Sequence, residues 1–372
     1  MKYKTGFVWH EQFMWHEHNG YAGVMPPGGF IQPGHHFDHP ETKRRFKNLL
    51  DASGLTDRLY QIAAPIASRE QLARVHTEAH IANVETISSG VGGDTGMFAP
   101  VGPGGFEIAA RSAGGAIVAV DAVLNGEVRN AYALLRPPGH HAEPEMGKGF
   151  CIFANASIAI RHAQQAHSRG RVALVDWDVH HGNGAQHVFW NDRSTLTMSI
   201  HQDRSFPPDS GLIEEMGGEQ AQGFNINIPL PAGSGFGAYA AAFDRVIEPA
   251  LRAFQPDLIV VSCGFDAGGW DPLARMILHS AAFANLTKRM MSAADELCEG
   301  RLVLLQEGGY DQATVPFMGL AVIETLSGIA TGVADPFLSI FVDDPGHALL
   351  QHQEAVIVRA EVVLQLLMDA TA

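Results

Sequence analysis

Cysteine is scarce. Only Cys151, Cys263 and Cys298 occur in 372 residues, far apart and in apolar surroundings. They form neither a zinc-ribbon spacing nor a disulfide framework, which fits a reducing compartment. Positive charge is also in deficit: Lys plus Arg is 25 against 40 for Asp plus Glu, a formal net charge of −15 with His neutral. A general nucleic-acid binder, which needs a basic footprint to displace counterions from phosphates, is therefore not expected. Cationic substrates are not excluded, because an acidic surface attracts them. No apolar run reaches the roughly 18 residues of a membrane helix. The start, MKYKTGFVWHEQ, lacks the apolar core of a signal peptide. Low-complexity tracts, blocks of like charge, internal repeats and Pro/Ser-rich linkers are all missing. These absences predict a cytoplasmic protein of one domain spanning residues 1–372, with neither nucleic acid nor membrane as a partner.

The chain is 46% hydrophobic and 17% charged, enough for a large core. Its 40 glycines and 20 prolines sit in short clusters between periodic segments, as loops do. Apolar or β-branched runs recur at 6–9, 131–135, 171–176, 195–200, 225–228, 258–262 and 302–305. Several are continuously apolar, as strands buried on both faces are. Helical patterns lie between or around them at 42–52, 106–125, 154–168, 239–254, 280–299 and 315–329, with an amphipathic closing helix at 355–368. The alternation predicts an α/β fold with a mostly parallel central sheet, helices on both faces and long loops.

Ligands of such sheets bind outside the carboxyl ends of the strands. Polar clusters follow the predicted strands in this way: Arg136-Pro-Pro-Gly-His140-His141, Asp176-Trp-Asp178-Val-His180-His181-Gly-Asn183, His201, Cys263-Gly-Phe-Asp266 and Glu307-Gly-Gly-Tyr310. Asp176 and Asp178 are two apart at a strand end, so extended geometry points both to one side, and His180 continues that parity. Taken singly, each aspartate is a helix cap and each histidine a core group. Together they form a partial O/N metal site. A catalytic zinc site takes three protein ligands and keeps one position open; Asp178 and His180 supply two, and Asp266 is the candidate third. The same set accepts ferrous iron. His140 and His141 are adjacent rather than at ligand spacing, which suits acid–base work, with Asp176 and Asn183 available as orienting partners. Tyr310, after a Gly-Gly turn, is positioned to donate to an oxyanion. The histidines of the N-terminal loop (His16, His18, His35, His36) are by default expected to be solvated, with a place lining the entrance or in an oligomer contact as the alternatives.

The stretches RPPGHHA, GFCIFAN, DWDVHHGNG, FPPDSG, GFNINIPLP, GFDA…DPLARM and QEGGY together resemble the histone deacetylase family, in its class II type and the bacterial histone-deacetylase-like amidohydrolases. The resemblance runs from about Pro40 to Ile323 and implies the arginase–deacetylase fold. It implies zinc on Asp178, His180 and Asp266, tandem catalytic histidines at His140 and His141, a catalytic Tyr310, and Asp176 as the partner of His140. Asn183 stands where class I members have Asp; this neutral orienter should leave the His141 imidazolium less stabilised. An acyl-lysine tunnel is implied at Gly149, Phe150, Phe206 and Leu273. Two structural potassium ions are implied, one at Asp176, Asp178, His180, Ser199 and Ile200, the other at Phe189, Asp192, Thr195 and Phe224. The expected substrate is an acylated lysine in a peptide or protein, or another acetylated amine, and relatives that self-associate make a homo-oligomer an expectation.

Three alternatives share parts of this pattern. An acetylpolyamine amidohydrolase would need a carboxylate at the tunnel mouth; Leu273 is apolar, but Glu17 or Asp94 would serve if a loop brought it there. A dinuclear manganese ureohydrolase would need acidic ligands where Gly182 and Gly268 stand. An inactive acyl-lysine-binding module would have lost reactive residues, yet all six are present.

Overall fold

A computed structural model describes residues 5–168 and 170–372. The expectation about the chain start rests partly on residues 1–4, which lie outside the described residues. Eight strands form one sheet: β1 (Thr5–Trp9), β2 (Tyr60–Ala63), β3 (Asn130–Ala133), β4 (Val172–Asp176), β5 (Thr195–Gln202), β6 (Asn225–Leu230), β7 (Leu258–Cys263) and β8 (Leu302–Gln306). Their order is β6-β5-β4-β7-β8-β3-β1-β2, and every neighbouring pair is parallel. This is the α/β architecture expected, built from the runs expected, with β2 added at one edge.

Alternate strand residues enter two cores. Val172 and Leu174, with Leu258, Val260, Val303 and Leu305, face one layer. There they meet α2 (Gly105–Leu124) and α3 (Asn155–Ala166). Ala173 and Val175, with Ile259, Val261 and Leu304, face the other. That layer holds α5 (Ser280–Leu297), α6 (Val315–Ser327) and α7 (Gln351–Thr371), with Phe46 and Leu50 of α1 (Glu41–Ala52). Burying each such Val, Leu or Ile is worth about 1.5–3 kcal/mol, so covering both faces is the main stabilisation of the central strands. No described helix is long and apolar enough to cross a membrane. All three cysteines are free and buried.

Three local expectations are corrected. The pattern at 239–254 is broken: Phe236–Ala242 and α4 (Glu248–Phe254) are joined by a wider π turn at Phe243–Ile247. The helix Glu78–Ser89 was not anticipated, because its sequence EAHIANVETISS buries only a narrow face. The N-terminal histidines are not solvated as a group: His16, His18 and His36 are buried, and only His35 is exposed.

Strands β4, β7, β8 and β3 are adjacent at the sheet centre, in the register Asp176↔Ser262, Cys263↔Gln306 and Leu305↔Ala133. Their carboxyl ends therefore open on one spot.

Candidate active site

Strand β4 ends at Asp176, so the extended parity expected for Asp178 and His180 does not hold. Two successive turns bring them together instead: Asp178 N–H donates to Asp176 Oδ1 (3.0 Å), and His180 N–H to Asp178 Oδ1 (2.9 Å). From the loop after β7, Asp266 Oδ1 accepts from Val179 N–H at 2.8 Å. His180 Nδ1 then lies 3.2 Å from Asp178 Oδ1 and 3.1 Å from Asp266 Oδ2. The three donor atoms all fall within 4.8 Å of one another, in full burial. Burial lowers the His180 pKa, but the two carboxylates outweigh it and push it up to about 10. Two buried carboxylates facing one imidazole nitrogen form a pocket for positive charge, and their O/N donor set fits a divalent ion. From the turn after β8, Gly308 N–H donates to Asp178 Oδ2 at 2.8 Å. A Cβ at Gly308 would lie 2.1 Å from Asp266 Oδ2 and 2.7 Å from Asp178 Oδ2. Gly308→Ala is therefore expected to displace both carboxylates, lower the metal content and cut turnover by about 10²-fold, since misplacements near 1 Å cost that much. Elemental analysis beside a turnover assay checks this.

The loop after β3 carries the tandem histidines. His140 Nδ1 is 3.0 Å from Asp176 Oδ2, and His141 Nδ1 is 2.8 Å from Asn183 Oδ1. Their electrostatics diverge. Burial opposes charge on His140, but Asp178 and Asp176 overcome it and hold its pKa well above the usual value. Burial and the neighbouring His140 hold His141 well below. Burial lifts the Asp176 carboxyl to about 6 against the pull of His140. The loop is tied to the end of β8 by Glu307, whose Oε2 accepts from Gly139 N–H (2.6 Å) and His140 N–H (3.1 Å).

A cavity of about 220 Å³ leads to this cluster, lined by Val24, Phe98, His141, Gly149, Phe150, His180, Ser205, Phe206, Leu273 and Tyr310. The four tunnel residues expected from sequence all line it. Phe150 packs edge-on to Tyr310 (5.7 Å) and Phe206 edge-on to His141 (4.9 Å). Gly149 has φ +51°, and a Cβ there would meet His141 Cδ2 at 2.5 Å and Phe206 Cε1 at 2.6 Å, so the wall closes only around glycine. Val24, Phe98 and Ser205 were not anticipated. Phe98 lies in the FAPVGPGG segment, which carries no pattern pointing to a site.

Tyr310 is buried, and burial raises its phenol pKa well above the usual value. Its N–H donates to Asp271 Oδ2 (2.8 Å), while Asp271 Oδ1 accepts from Leu273 N–H (2.9 Å). One carboxyl thus fixes both Tyr310 and the tunnel wall; burial pushes its pKa up to about 8. Beneath Tyr310, Lys43 Nζ is 5.0 Å from the ring centroid and donates to Gly309 O (3.3 Å) and Asp38 Oδ1 (3.0 Å). Arg136 donates to the carbonyls of Phe13, His16 and Asp38. Its Nε is 3.3 Å from Asp38 Oδ2 without hydrogen-bond geometry, a charge contact only.

The groups expected at potassium sites are dispersed between two places. Asp176 and Ser199 are paired across β4 and β5 and line a void of about 10 Å³ with Gly182. Around Phe189, Asp192, Thr195 and Phe224, the Asp192 carboxylate is taken by Ser194 and Arg161, and the Thr195 hydroxyl accepts from Gln164. A Cβ at Gly182 would lie 2.4 Å from Asp176 Oδ2, leaving no room for the acidic ligand a second catalytic metal requires.

The histone deacetylase domain model matches residues 36–326. The chain belongs to the histone deacetylase family. It is 50% identical over 339 residues to the histone deacetylase-like amidohydrolase of Pseudomonas aeruginosa, covering 90% of this chain and 89% of that one. It is 35% identical over 330 residues to a probable deacetylase of Archaeoglobus fulgidus, covering 87% and 86%. The crystal structure of the HDA15 HD domain superposes with a TM-score of 0.80 at 30% identity, covering 97% of this chain and 99% of that one. The sheet described above is thus the arginase–deacetylase fold, and the protein is a deacetylase of the histone deacetylase-like amidohydrolase group.

Proposed function

We propose that this deacetylase is a zinc-dependent amide hydrolase that removes acetyl or related acyl groups from the ε-amine of lysine side chains, acting as one catalytic domain over residues 1–372 in the cytoplasm. The observation that carries the reading is the convergence of the Asp178–His180–Asp266 cluster, His141 and Tyr310 at the end of one apolar tunnel. Asp178, His180 and Asp266 would hold the zinc, which when bound polarises the acyl carbonyl and acidifies water. His141 takes the proton of the attacking water and returns it to the departing amine. His140, paired with Asp176, tunes charge and orientation beside it, and Asn183 orients His141. The Tyr310 hydroxyl donates to the tetrahedral oxyanion. Phe150 and Phe206, with Gly149 and Leu273, enclose the aliphatic lysine stem and keep water out. Structural potassium belongs to the same reading: one ion with Asp176, Asp178, His180, Ser199 and Ile200, a second with Phe189, Asp192, Thr195 and Phe224.

Lysine is favoured over polyamines because neither candidate carboxylate lines the cavity. Asp94 accepts from the N–H groups of Gly96, Phe98 and Ala99, and Glu17 from those of Asn19 and Gly20. Both are committed to their own loops rather than turned toward a second ammonium, and Leu273 offers only apolar surface. A panel of acetyl-lysine peptides, longer acyl-lysines and acetylpolyamines, run on zinc-loaded protein, tests the reading. Acetyl-lysine is expected to exceed acetylpolyamines in kcat/KM by at least about tenfold, the factor that about 1.4 kcal/mol supplies. The reverse order would replace lysine by polyamine, and no turnover at all would leave a binding module.

A further inference from the structure

His141 serves as a base only in one tautomer. With its proton on Nδ1, Nε2 keeps a lone pair; with the proton on Nε2, it accepts nothing there. Nδ1 faces Asn183, and an amide presents either an accepting oxygen or a donating NH2 edge. What selects the edge is Glu143. Its Oε1 lies 2.7 Å from Asn183 Nδ2 and 2.8 Å from Lys148 Nζ. A carboxylate has no hydrogen to give, so the amide must turn its NH2 toward it. Asn183 Nδ2 also donates to the His141 carbonyl at 3.1 Å. Planarity then delivers Oδ1 to His141 Nδ1. Turning the amide over would set its oxygen against the Glu143 carboxylate and its NH2 against Nδ1, stabilising the wrong tautomer.

We propose that Glu143 is a positioning residue for the deacylation reaction: through Asn183 it holds His141 in the Nδ1-protonated form. The local chain supports that duty. Glu143 and Met146 exchange backbone hydrogen bonds that close a tight turn, and the Lys148 ammonium donates to the same half-buried carboxylate and fixes its place. The proposal rests on His141 being the base, and its test separates the two.

Zinc-loaded protein labelled with ¹⁵N-histidine is compared as wild type, Glu143→Gln, Glu143→Ala, Asn183→Asp and the Glu143→Gln/Asn183→Asp double variant. Two-bond ¹H–¹⁵N correlations report the His141 tautomer, with the missing signals of His141→Ala as assignment. Glu143→Ala is expected to lower kcat by about 10–100-fold, the usual cost of losing such a supporting partner, with KM little changed and an Nε2–H signal emerging, whereas Glu143→Gln, whose amide oxygen still accepts from Asn183 Nδ2, is expected to lose less. Asn183→Asp alone sets two carboxylates side by side and is also expected to fall. In the double variant the amide and the carboxylate exchange places. The amide brought in by Glu143→Gln donates to the carboxylate brought in by Asn183→Asp, which again accepts from His141 Nδ1, so turnover and the wild-type tautomer are expected to return. A loop staple lost with the Glu143–Lys148 pair would not be rescued at position 183. Wild-type kcat and tautomer in both single Glu143 variants, or no recovery in the double variant, overturns the proposal. Full turnover in His141→Ala would instead remove His141 as base, while the tautomer comparison still decides what Glu143 does.

Discussion

Tyr310→Phe is expected to lose about 10²–10³-fold in kcat while keeping its metal and its fold, the range measured when one oxyanion donor is removed. The hydroxyl sits in a cavity whose other walls are mostly apolar, and among the described residues no group is hydrogen-bonded to it. Burial keeps the phenol protonated, so it remains a donor through the neutral range. The ring itself is held by Phe150, by Lys43 beneath it and by the Asp271 anchor on its backbone, and none of these needs the oxygen. The loss should therefore appear in kcat rather than in KM, as for an interaction made only in the transition state. Steady-state kinetics with metal analysis on the same sample decides it. Unchanged turnover would remove Tyr310 from the mechanism.

The largest expected loss of stability is at Asp38. Its carboxylate is fully buried against Lys43, Arg136 and His18, themselves buried. Asp38→Asn leaves two interior cations without their counter-charge, a defect that costs about 3–5 kcal/mol. Urea denaturation measures it; a loss below about 1 kcal/mol, the scale of an exposed ion pair, would mean that water reaches the cluster. The sign with pH follows from the direction of the shift. Burial raises the Asp38 pKa, but Lys43 and Arg136 overcome it and hold the folded-state value well below the usual one. The unfolded value is near about 4. The contribution is thus fully present above about pH 4 and fades as the pH falls further toward the folded-state value. The gap between wild type and variant is expected to stay constant through the neutral range and to narrow only in acid.

The central sheet was legible because β4, β7 and β8 are continuous apolar runs, which burial on both faces demands. Strand β2, Tyr60–Ala63, was not: at the sheet edge its residues alternate between half-buried and exposed, and four residues are too few to register a period. The candidate site was legible because its members sit in motifs at strand ends, where topology concentrates ligands. The exact route was not, since the turns after Asp176 replace the extended parity. Supporting groups escaped for another reason. Asp38, Glu143 and Asp271 are single acidic residues in loops with no spacing to mark them, and Glu307, though it heads the Glu307-Gly-Gly-Tyr310 cluster, carried no sign of its supporting role. Their roles arise from contacts across 5 to 168 positions of sequence. The buried histidines failed the same way: His18 stacks on His36 at 3.9 Å and His36 meets Phe150 at 4.6 Å, pairings that only the closed chain creates.

The family pattern begins at residue 36, yet Val24 forms part of the tunnel and the carbonyls of Phe13 and His16 accept from the Arg136 guanidinium. The smallest piece of chain able to hold a competent pocket therefore starts upstream of the stretch by which relatives are recognised. Excising the recognised stretch alone would breach the channel on one side and leave guanidinium N–H groups of the buried Arg136 without the carbonyls they donate to.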